Sequence, residues 1–141
     1  MTKKETNKYE IVHNDSISHK GHILHRIRLL KDIRKDDCEP LKKGDLGGYI
    51  ENQQNLSQKG DCWIYDDAKV YENARIYDDA EVYGNAEVYG NAKIHDEAFI
   101  CDDAKIYGNA EVYDTSSVCG FAKLYGRTRI LGNAKIDANF L

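Results

Sequence analysis

The chain has 141 residues, the length of one domain or of a small cap joined to one; 41% are hydrophobic, 31% are charged, and the formal net charge is −4. It has no apolar run of membrane-spanning length and no signal-peptide core, and its start, MTKKETNKYE, is polar, so a cytoplasmic protein without a membrane partner is expected. Residues 1–50 carry 11 Lys+Arg against 8 Asp+Glu, whereas residues 51–141 carry 9 against 16; an acidic body disfavours direct binding of nucleic acid and favours a protein target with a basic surface.

In chain order, the first few residues are expected to be disordered. YEIVHNDSI and ILHRIRLLKDI read as two strands around a His19-Lys20-Gly21-His22 turn. His19, His22 and His25 form H-x2-H-x2-H, but no cysteine or carboxylate at ligand spacing completes a zinc set, so a polar turn is expected. LKKGDLGGYIEN then leads into the body, with Leu46, Ile50 and Leu56 loosely in an inward frame. Residues 1–57 are expected to be a β cap and lead-in covering an end that otherwise presents unpaired backbone, and residues 58–141 the body.

From Ile64 the chain divides into sixes without an insertion, from IYDDAK, VYENAR and IYDDAE through VYGNAE and VYGNAK to LYGRTR and ILGNAK, making 12 words over residues 64–135. Position one is always Ile, Val or Leu. Position five is Ala except at Ser116, Thr128 and Phe140. Six residues cannot hold a helix pair but can hold a four-residue strand and a two-residue corner. In A-x-V-Y, period-two alternation sends Ala and Val inward and x and Tyr outward. Positions three and four are mostly Gly, Asn, Asp or Glu, and corner pairs such as Gly84-Asn85 and Gly90-Asn91 are types that accept left-handed backbone angles cheaply. At the far end Phe140 is expected to plug the prism.

The pattern [Ile/Val/Leu]-x-x-x-[Ala/Ser/Thr]-x resembles the hexapeptide repeat of left-handed parallel β-helices. The resemblance implies an all-β fold of about four to five triangular coils, with residues 18 apart stacked in columns. The VYGNA wording after GDLGGYIENQQNLSQKGDCW also resembles a group of short phage and prophage proteins, which places the chain in a bacterial host cytosol and implies no particular activity.

On those columns, Tyr71, Tyr89, Tyr107 and Tyr125 form an unbroken outward ladder, expected to bind a protein partner because tyrosine offers a large, rigid contact area. Trp63, Tyr65, Tyr83, Phe99 and Cys101 form the most apolar outward cluster, expected to be buried in a homodimer or homotrimer, or against the cap. Asp66-Asp67 and Asp102-Asp103 share one edge; Asp78-Asp79, Asp96-Glu97 and Asp114 share another. They are expected to be solvated corners with no calcium or other metal. Cys101 and Cys119 are column neighbours, but parallel stacking runs their Cβ vectors side by side, so free thiols are expected, as for Cys38 and Cys62.

Many hexapeptide-repeat proteins are acyltransferases with a histidine base, and the resemblance offers His95 for that role. The coils have no inserted loop to shape a cleft, so catalysis is not expected, nor a cofactor. The expected function is a non-catalytic binding module that inhibits a host defence nuclease or CRISPR effector by steric block or nucleic-acid mimicry. The alternatives are an acyltransferase-like enzyme and an oligomer that sequesters a nucleotide.

Overall fold

A computed structural model describes residues 7–35 and 39–139. The disorder expected at the start, the plug at Phe140 and the thiol of Cys38 lie outside the described residues.

The chain opens with an antiparallel hairpin, β1 (Tyr9–His19) and β2 (His22–Leu29). Its turn residues, Lys20 and Gly21, have φ of 50° and 85°, both left-handed as a type I′ turn requires. β2 pairs antiparallel with β3 (Leu46–Ile50), which pairs parallel with the coil strand Lys69–Val70. The cap is thus hydrogen-bonded into the body. Ile50 and Leu56 point inward as expected. Leu46 does not: it is 55% exposed, at a point where a register shift between Arg26 and Arg28 interrupts the β2–β3 pairing.

The body is a β-solenoid of the hexapeptide-repeat β-helix type, with about five turns in its tallest parallel stack. Each coil strand lies in register with the strand 18 residues on, so Lys69–Val70, Glu87–Val88, Lys105–Ile106 and Lys123–Leu124 form one wall together with the cap strands. A second wall stacks Trp63–Ile64, Glu81–Val82, Phe99–Ile100, Ser117–Gly120 and Lys135–Ala138. The third stacks Arg75–Ile76, Lys93–Ile94, Glu111–Val112 and Arg129–Ile130.

Burial follows the repeat. Position-one aliphatics and position-five alanines are buried from Ile64 to Val118, and this dry column is the core. Ser116 stands in for alanine because its hydroxyl donates to the carbonyl oxygens of Tyr113 (2.6 Å) and Ile130 (3.3 Å), so no polar group is left unpaired.

The corners are more specific than composition suggests. Position three has φ between 56° and 72° in all 12 words from Asp66 to Gly132, while no position-four residue has a positive φ. Holding a non-glycine residue there costs roughly 1–2 kcal/mol. The acidic residues offset it with a hydrogen bond to the next coil: the carboxylates of Asp66, Glu72, Asp96, Asp102 and Asp114 accept from the backbone N–H 18 residues on, at 2.8–3.0 Å. These corners are therefore coil-to-coil clamps, not merely solvated turns.

One expectation is overturned. Cys101 and Cys119 form a disulfide, with Cα atoms 4.7 Å apart. Adjacent parallel strands bring the Cα atoms inside the bridging range, and side-by-side Cβ vectors still leave the sulfurs within reach. Unfolded, unreduced protein should expose two titratable thiols of the four cysteines. Cys101→Ser with Cys119→Ser should lose up to about 3 kcal/mol, the closure entropy of a loop of this length. Four titratable thiols would contradict the bridge.

Cys62 is free and buried. Lys8, buried beside it, donates to the carbonyl oxygens of Cys62 (2.7 Å) and Gly60 (3.2 Å) and lies 3.2 Å from the Cys62 sulfur. Burial pushes the Lys8 ammonium down and the Cys62 thiol up.

Candidate functional site

The tyrosine ladder is a stack of nearly parallel rings. Centroids are 5.0 Å apart for Tyr71–Tyr89, 5.0 Å for Tyr89–Tyr107 and 5.5 Å for Tyr107–Tyr125. Its lowest rung is not available to a partner. Tyr71 is 2% exposed because the tip of the β1–β2 hairpin folds over it, packing His19 and His22 against its ring at 5.4 and 5.2 Å. The ring closes a small core with Leu24 and Tyr49. The accessible ladder is thus Tyr89, Tyr107 and Tyr125, the last 60% exposed.

Glu87 secures the tip. It accepts from the Tyr71 hydroxyl at 3.0 Å, pairs with His19 Nε2 at 3.0 Å and lies 3.9 Å from the Lys20 ammonium. His22 bridges Glu51 (2.8 Å) and Glu72 (3.2 Å). The hydrogen bond to Glu51, with Glu72 adding, raises the His22 pKa from 6.5 although desolvation opposes it. Burial pushes the Glu87 and Glu51 carboxyls up, but their hydrogen bonds outweigh it and both titrate below 4.5. The His22 contribution is therefore full below pH 6.5 and fades as pH rises through its higher folded value. The carboxylate contributions are present above 4.5 and are lost as pH falls through their lower folded values. Hydrogen exchange, corrected for its intrinsic pH dependence, should show greatest protection of residues 17–24 between about pH 4.5 and 6.5; protection that is flat across the range would contradict this. The three hairpin histidines do not converge: His25 packs on His13 at 5.2 Å.

The cluster expected at a subunit interface divides. Trp63 is 1% exposed and packs edge-on against Tyr9 of the cap at 6.2 Å, so it offers nothing to a second subunit. Tyr65 and Tyr83 stack at 4.0 Å and both hydroxyls reach Glu81, which also pairs with Lys35. Cys101 is bridged. Of the five, Phe99 alone ranks among the exposed large hydrophobics, at 37%.

His95 stands in the third wall between Tyr77 (4.7 Å) and Tyr113 (5.1 Å), nearly parallel to both rings. Its Nε2 lies 2.6 Å from Glu111 and its Nδ1 3.2 Å from Asp96 and 3.8 Å from Asp78. The hydrogen bond with His95 holds the Glu111 carboxyl below the usual range. Both ring faces are thus covered by tyrosine and both nitrogens have carboxylate partners. Asp78, His95 and Asp96 are of metal-ligating type and their ligand atoms lie within 4.8 Å of one another. In the structure the same groups pair with each other, and both carboxylates also accept backbone N–H groups.

Charge is sorted around the prism. The edge between the third and second walls carries Asp61, Asp78, Asp79, Asp96, Glu97 and Asp114. The ladder wall opposite carries Lys69, Glu87, Lys105 and Lys123, and the edge between it and the second wall carries Asp66, Asp67, Asp102 and Asp103. Residues 51–120 hold 15 Asp+Glu against 5 Lys+Arg, whereas residues 121–139 hold 1 against 4. The sequence columns already placed Asp78-Asp79, Asp96-Glu97 and Asp114 on one edge; the change of sign after residue 120 was missed, and counting charge per coil would have found it.

No protein-family model matches the chain, and no curated protein matches it. Among the described residues no helix is long and apolar enough to cross a membrane.

Proposed function

We propose that the protein is a non-catalytic binding rod that plugs a basic cleft. The supporting observation is the rigid ladder of Tyr89, Tyr107 and Tyr125 on one wall with an acidic ridge on the edge opposite. Stacking fixes the rings before contact, so little side-chain entropy is lost on binding. The ridge steers the rod toward cationic groups. A cleft that grips the rod meets both strips at once.

We take the target from the resemblance of the VYGNA wording to phage and prophage proteins: a bacterial host's defence machinery, a nuclease or CRISPR effector whose nucleic-acid channel is strongly basic. Expression in a host with such a system should restore plating of a targeted phage. Asp79→Lys with Glu97→Lys should reduce that rescue. Plating unchanged by the wild-type protein against every defence system tried would contradict the proposal.

A further inference from the structure

The ring column of the third wall stops at Tyr77. Parallel pairing of Leu56 with Ile76 puts Ser57 beneath it, where the coils above place His95 and Tyr113. This small side chain leaves a recess of about 390 Å³ under Tyr77, floored by Leu56 and Ile76. The volume falls within the usual range for small-ligand sites, roughly 300–1,000 Å³.

The recess has an unusual charge. Arg75 and Lys93 both line it and are Cα partners on neighbouring strands. Like charges directly opposite on adjacent strands repel. Neither forms an ion pair among the described residues. Glu111, the carboxylate opposite Lys93 on its other side, is taken by His95 and Arg129. In the most acidic stretch of the chain, two adjacent cations thus lack a counter-charge at the mouth of a cavity. Gln53 and Gln54 line it too, and each side-chain amide offers donors and an acceptor.

We propose that this recess binds a mononucleotide. The base stacks beneath Tyr77, continuing a ring column whose interval is 4.7 Å at Tyr77–His95. The phosphate lies between Arg75 and Lys93, which relieves their repulsion. The amides of Gln53 and Gln54 meet the base edge. The site lies within one chain and is independent of the tyrosine ladder.

Calorimetric titration of the full chain with AMP, GMP, CMP, UMP, adenosine and inorganic phosphate tests this. At least one mononucleotide should bind with Kd below about 1 mM, and adenosine and phosphate at least about tenfold more weakly. Ser57→Phe, which places a ring under Tyr77, should abolish binding. Arg75→Ala with Lys93→Ala should weaken it at least about tenfold, roughly the loss of one charged contact, at a melting temperature equal to or above that of wild type, because the cross-strand repulsion is removed. The proposal is overturned if no mononucleotide binds at about 5 mM, if both variants bind as wild type does, or if phosphate binds as tightly as the nucleotides. Protein capture by the ladder is measured separately, so the two readings fail independently.

Discussion

Gly48→Ala should destabilise the protein by about 3 kcal/mol, the upper part of the overpacking range. A Cβ there would sit 2.5 Å from the Ala68 carbonyl oxygen and 2.6 Å from Ile64 Cγ2. The first of these is backbone and is held by the Tyr49 N–H at 2.9 Å, so it cannot move aside without breaking the joint between cap and coil. Gly47 is as tightly enclosed, 2.6 Å from the Ile64 carbonyl and from the Trp63 ring. Steric exclusion, not backbone freedom, thus accounts for the glycine pair in GDLGGYIE. Gly126→Ala provides the control: φ there is +66° and nothing lies within 4 Å of the added carbon, so only the left-handed backbone penalty of about 1–2 kcal/mol applies. Denaturant midpoints decide between them. A loss at Gly48 no greater than at Gly126 would contradict the close joint.

Tyr71→Ala should cost about 3–4 kcal/mol, the usual range for truncating a buried aromatic. The loss should be local. The ring is the floor on which Leu24, His19 and His22 rest, and its hydroxyl is one of the groups that hold Glu87. Without it the hairpin tip loses its seat while the core column from Ile64 to Val118 remains packed. Tyr71→Phe keeps the seat and removes one hydrogen bond to a charged group, so its cost should be about 1.5–3 kcal/mol. Hydrogen exchange in residues 17–24 should approach that of an unprotected peptide in the alanine variant and stay intermediate in the phenylalanine variant. Full protection of the tip in Tyr71→Ala would contradict the role assigned to the ring.

The repeat made much of this architecture legible. Isoleucine or valine at position one and alanine at position five can face only a narrow interior, and the 18-residue columns placed the ladder rings in the order the structure shows. The same columns placed His95 between Tyr77 and Tyr113, although not its carboxylate partners: Glu111 reaches His95 from the neighbouring column, 16 residues on. Positions three and four looked equivalent because both favour small and acidic residues, yet only position three is left-handed. Glycine and acidic residues occupy position three alike, and the acidic ones add a hydrogen bond to the next coil that a single word does not contain. The hairpin tip on Tyr71 was hidden for a related reason. Periodicity locates strands, whereas the docking of His19 and His22 depends on how the cap curves over a wall. Lys8 gave no sign of its burial, because its partners are backbone carbonyls some 50 residues away.

The central claim is that the exposed ladder is a contact surface. It is tested most directly by affinity capture from a bacterial host lysate, with wild type beside Tyr107→Asp with Tyr125→Asp as bait. The variant loses the Tyr89–Tyr107 and Tyr107–Tyr125 stacks, so it should melt lower by the equivalent of about 1–3 kcal/mol while keeping the wild-type circular dichroism spectrum at the capture temperature. The account predicts a stoichiometric protein partner bearing a basic cleft, retained by wild type and lost from the variant. A partner retained equally by both baits would contradict it.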